Sequence, residues 1–127
     1  MLTSFKYFNE NFNIRLEIAN YYYKKLSSYV KCPQPNKNKD VQCTFFDYTI
    51  ISENRDKLQK SLSKKGIETK IKHSKLMTQQ PAYKSLTKSN LPQAEYLVNR
   101  ILSLPIHEKL TQNDLDYIVE SIREFYE

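Results

Sequence analysis

A single glycine, Gly66, stands in this chain of 127 residues. Glycine lets a backbone enter left-handed turns and approach a phosphate closely. Phosphate cradles of the Walker or dinucleotide type need several such residues, so the sequence excludes both. Gly66 itself follows "SENRDKLQKSLSKK", in which Leu58 and Leu62 share a face and Ser52 or Asn54 can cap the start. It therefore marks a short helix that ends in a left-handed residue. On one side of that helix, "VQCTFFDYTII" is rich in β-branched and aromatic residues and predicts a strand over 41–51. On the other, "IETKIKH" alternates Ile67, Thr69 and Ile71 with charged residues and predicts a second strand. Strand, helix and strand form one compact unit.

The flanks of this unit are helical. Phe8, Ile14, Ile18, Tyr21, Tyr22 and Leu26 recur at helical spacing and predict an amphipathic helix over 8–28, with Arg15, Glu17 and Lys24 facing water. It ends before "KCPQPNKNKD", where two prolines mark a surface connection, loose over 33–40. Residues 74–90 show no period and read as a loop, with a helical turn near Pro81 to Tyr83. Pro92 suits a first helical position, and Ala94, Leu97, Val98, Ile101 and Leu102 form the stripe of a third helix. Thr111 and Asp114 resemble a capping box opening a final helix whose inward face is Leu115, Ile118, Val119, Ile122 and Phe125. Between these helices "LSLPIH" is expected to be a short extended connector, with Pro105 stopping either helix from running through it. The fold class is thus α+β: a small antiparallel sheet of two or three strands packed with about four helices. Length allows one globular domain.

No apolar stretch has signal-peptide or membrane-spanning length, so a soluble, cytoplasmic protein is expected, with no membrane partner. Cys32 and Cys43 lack metal-ligand spacing and read as reduced structural thiols. The net charge of +6 is spread over lysines interleaved with acids. Nucleic acid is not an expected partner, because no binding module accompanies the charge.

Several stretches together carry a resemblance. Arg15, Ile18, Ala19, Tyr22 and Leu26, then "DYTIISENRDKLQKSLSKKGIETKI", "QPAYKS" and "LPQAEYLVNRILSLPIHEKLTQNDLDYIVESI", resemble the C-terminal domain of the DegT/DnrJ/EryC1/StrS family. These are sugar aminotransferases dependent on pyridoxal phosphate (PLP) and have the fold-type I architecture. The resemblance implies a helix over 1–30 leading into a small domain over 31–127. It also implies that the cofactor, its Schiff-base lysine and its phosphate donors belong to a large domain upstream, which the 127 residues are not expected to include. No catalytic residue, PLP site or metal site is therefore expected in this chain alone, and the chain is expected to be inactive by itself.

The resemblance further implies which residues face a nucleotide-sugar. Family members read "VHYPxPLHxQPAY" where this chain has "IKHSKLMTQQPAY", which places Lys72 and His73 at the His and Tyr positions and keeps Gln80. Tyr48 matches the family's strand "VWAQYTI", although Asp47 replaces an amide there. Lys72, His73, Gln80 and Tyr48 are the candidate substrate-binding residues. His107 reads as a hydrogen-bonded structural histidine, Asp114, Asp116 and Glu95 as helix-start acids, and Tyr22 as core. The chain is then a small-domain fragment, one half of a split enzyme with a separate large-domain chain, or an interaction protein that associates with copies of itself.

Overall fold

The computed structural model describes residues 6–35, 41–83 and 90–127. Among these, the elements run α1 (Phe8–Leu26), β1 (Tyr48–Ile51), α2 (Arg55–Lys64), α3 (Pro92–Val98), β2 (Ile101–Leu104) and α4 (Gln112–Tyr126). A 3-10 turn at Met77–Gln79 lies between α2 and α3. The α+β expectation holds: four helices accompany a two-stranded antiparallel sheet.

Helical spacing decides what each helix buries. Ile18, Ala19, Tyr22 and Leu26 of α1, Leu58 and Leu62 of α2, and Leu115, Ile118, Val119 and Ile122 of α4 join one apolar cluster. The sheet adds Tyr48 and Ile50 from β1, alternating with less buried Thr49 and Ile51 as a pleated strand requires.

The structure corrects the reading of "LSLPIH". The stretch is no mere connector, since its first part completes β2, which pairs Leu104 with Tyr48 and Ile101 with Ile51. Ser103 also exchanges two backbone hydrogen bonds with Lys70, at 2.9 and 3.0 Å, on its other side. β2 is therefore an inner strand of the sheet, as is β1, whose other side carries the Lys31–Ile51 bridge, and Pro105, without an N–H, stands just beyond the end of β2. The third helix is correspondingly shorter than its apolar stripe, ending at Val98 rather than Leu102. Buried Arg55 reaches across and donates Nη1 to the carbonyls of Val98 and Ile101, at 3.3 and 3.2 Å. Those two bonds satisfy carbonyls at the turn where helix becomes strand.

The two predicted strands also contract. Only Tyr48–Ile51 of 41–51 is a strand, because Phe45 takes a left-handed φ of 45° that interrupts the extended chain. Of 67–73 only Lys70 pairs, as an isolated bridge to Ser103. The preceding residues are committed elsewhere: Gly66 (φ 76°) donates to the Ser63 carbonyl at 3.0 Å, and Ile67 donates to that of Leu62 at 2.9 Å. This is the Schellman ending that the lone glycine announced.

Caps divide the same way. Thr111 Oγ1 accepts from the Asp114 amide at 3.2 Å, and the Thr111 amide donates to Asp114 Oδ2 at 2.8 Å, a reciprocal box. Asn54 occupies the cap position of α2 without a side-chain cap bond, and Ser52 Oγ instead meets the Tyr126 hydroxyl at 2.6 Å. The loop over 74–90 contains the 3-10 turn slightly upstream of the expected one, followed by a turn closed by Tyr83 N–H to the Gln80 carbonyl at 3.0 Å. Residues 84–89 of that loop, and 36–40 of the 33–40 stretch, lie outside the described residues.

Candidate functional site

The chain leaving β2 and the segment leaving α2 diverge after the Lys70–Ser103 bridge, and a cavity of about 670 Å³ opens beside them. Ser103 through His107 form one wall, while Gly66 to Glu68, Lys70 and Lys72 form another. Phe46 and Asp47 reach it from the approach to β1, Arg15 from α1, and Asp114 and Tyr117 from α4.

Charge in this cavity comes in pairs. Lys72 Nζ is bound to the Asp47 carboxylate and lies 5.1 Å from the Phe46 ring centroid. Arg15 Nη2 meets Glu108 Oε2 at 3.3 Å, and its guanidinium carbon lies 5.9 Å from the same ring. Lys70 Nζ stands 3.8 Å from Glu68 Oε1. The Glu108 carboxyl titrates below its ordinary value, first through its own backbone amide and then through Arg15. Asp114 is lowered by its hydrogen bonds from Thr111. His107 Nδ1 accepts from the Lys109 amide at 3.3 Å, and the exposed residue also lines the cavity.

Of the four sequence candidates, only Lys72 lines this cavity. Tyr48 is fully buried beneath it, 5.1 Å from the ring of Tyr22 and 6.1 Å from that of Phe45. Its hydroxyl faces the Cys32 thiol and has no hydrogen bond of ordinary geometry. Burial pushes that thiol up to about 11, which keeps it protonated and unreactive. His73 and Gln80 are exposed and do not line the cavity. Arg15, read from the sequence as facing water, is half-buried and paired. Phe46 had no period to single it out; the adjacent "FFD" was the one available signal.

The profile of the DegT/DnrJ/EryC1/StrS aminotransferase family matches residues 1–123. The chain belongs to this family. A crystal structure of a family aminotransferase from Brucella abortus superposes with a TM-score of 0.90 at 35% identity, covering 98% of this chain and 34% of that one. DesV from S. venezuelae, solved in complex with a ketimine intermediate, gives 0.86 at 25% identity and covers 97% and 34%. GDP-perosamine synthase of Escherichia coli O157:H7 is 34% identical over 113 residues, 87% of this chain and 30% of its own length. The chain thus spans about a third of the relatives it matches.

Aminotransferases of the DegT/DnrJ/EryC1/StrS family depend on PLP, and the residues lining this cavity do not fit that cofactor. Both lysines of the cavity end on carboxylates. The lone glycine sits at the carbonyl end of α2, the end of a helix that repels phosphate. At the amide end of α4, the Thr111 and Asp114 amides are taken by the capping box, with the Asp114 carboxylate among them. Neither a Schiff-base lysine nor a phosphate cradle is assembled here.

Proposed function

We propose that this chain is the small domain of a nucleotide-sugar aminotransferase, inactive alone, and that its cavity forms one wall of the substrate site. The observation that carries this reading is the agreement of 98% of the chain with one third of a family aminotransferase, combined with a cavity whose donors do not suit PLP. In this role the chain's own residues bind and orient. Lys72, held by Asp47, presents a fixed donor at the cavity wall, and Arg15 braces that wall through Glu108. When bound, the cofactor supplies the amino-group chemistry from a PLP-carrying domain set against this wall. That domain is supplied by a separate chain or by the remainder of a longer one.

The test is reconstitution. The purified chain is assayed with a keto-sugar nucleotide and glutamate, alone and mixed with the PLP-loaded large domain of a relative. The expected result is no turnover alone, and turnover in the mixture well above that of the large domain by itself. Turnover by the chain alone, or a mixture no better than the large domain, overturns the reading.

A further inference from the structure

We propose that Phe46 is the stacking platform for the sugar ring of a ligand held in this cavity, an inference that rests on the nucleotide-sugar reading above. Phe45 and Phe46 are consecutive, yet Phe45 is 4% exposed in the core and Phe46 is 74% exposed at the cavity. The left-handed φ of 45° at Phe45 accompanies this parting of the two rings. A left-handed backbone is unfavourable for a residue with a branched aromatic side chain, and strain of this kind gathers at binding sites.

The surroundings of Phe46 say what would lie on it. Lys72 and Arg15 lie 5.1 and 5.9 Å from its ring centroid, within reach of the negative π face. Both cations are already tied to carboxylates, so they hold the ring in place and leave little net charge to attract an anion. The charged residues lining the cavity balance: Arg15, Lys70 and Lys72 against Asp47, Glu68 and Asp114. A balanced set of donors and acceptors beside an aromatic face suits a neutral ring that is apolar on one side and hydroxylated at its rim. The C–H bonds of a pyranose meet the π face while its hydroxyls reach the paired charges. A diphosphate finds no such match here and is left to groups outside this cavity.

The experiment is saturation-transfer NMR on the full chain with dTDP-glucose and with dTDP as probes. The expected result is strongest saturation on the glucose ring protons, and weaker binding of dTDP than of dTDP-glucose. Phe46→Ala is expected to weaken dTDP-glucose binding about tenfold, a loss of about 1.4 kcal/mol, and Phe46→Tyr to stay within about twofold. Phe46→Leu keeps apolar bulk without a π face and is expected to fall with the alanine variant; it decides the matter should Phe46→Ala melt early. Saturation centred on thymine, unchanged binding by Phe46→Leu, or no binding by the wild-type chain each overturns the proposal. Those results leave the aminotransferase reading to its separate reconstitution test, so the two failures are distinguishable.

Discussion

Two buried tyrosines in contact show how differently one hydroxyl can serve. Tyr22 donates to the Pro105 carbonyl at 2.9 Å and so ties α1 to the chain leaving β2. Tyr48, packed against it, has no such bond. Tyr22→Phe should therefore cost about 1–2 kcal/mol in urea unfolding, whereas Tyr48→Phe should change stability by less than about 0.5 kcal/mol or raise it. Equal losses for the two variants would mean that the Tyr48 hydroxyl has a real partner. Surface acids make a second prediction. Asp114, Asp116, Glu53 and Glu108 all titrate below their ordinary values, held there chiefly by Thr111, by Tyr21, by Arg100 with Tyr96, and by the Glu108 amide. The folded chain thus binds fewer protons in acid than the unfolded one, and their contribution is intact above the unfolded values of about 4. Thermal melts should be level from neutral pH down to about 5 and decline below about 4 as these groups protonate. Glu53→Gln should make that decline shallower, and an unchanged slope would remove the Arg100 pairing from the account.

At the scale of elements, the sequence was legible wherever a pattern was local. The spacing in α1 and α4, Pro92 at a helix start, the Thr111 box and Gly66 after α2 are each determined by residues a few positions apart. β2 was not, because "ILSL" becomes a strand only through Tyr48–Ile51 and Lys70, which no periodicity within it reveals. The cavity divides likewise. Lys72 was found through a motif, whereas Arg15 joins Glu108 across most of the chain and was read as solvent-facing. Gly66→Ala isolates a local determinant: a Cβ there meets nothing within 4 Å, so the loss of about 1 kcal/mol expected in unfolding comes from φ alone. Leu102→Ala probes the non-local one, and as a fully buried residue of β2 it should cost about 2–4 kcal/mol. A smaller loss at Leu102 than at Gly66 would show that the inner strand contributes less than its position implies.

At the scale of the whole molecule, the exposed apolar side chains carry a consequence. Among the described residues, Phe8, Tyr96 and Tyr117 are large apolar side chains left exposed. No described helix is long and apolar enough to cross a membrane. A chain that spans one third of its relatives' length would expose such side chains if another domain normally covered them. Sedimentation should accordingly show reversible, concentration-dependent self-association, relieved by adding the large domain of a relative. A strictly monomeric chain that ignores that domain would argue against a shared interface.

The position of β2 also sets the order in which the sheet can close. β1 and the Lys70 segment do not pair with each other; they are joined through residues 101–104, which follow both in sequence. As the polypeptide emerges from the ribosome, the Lys31–Ile51 bridge has both its partners early, but the sheet cannot close until residues 101–104 have emerged. The β1 edge that β2 will cover therefore stays available to chaperones, or to a neighbouring nascent chain, until then. Then Leu102 and Ser103 arrive, and both sides of the sheet can close in a single late event.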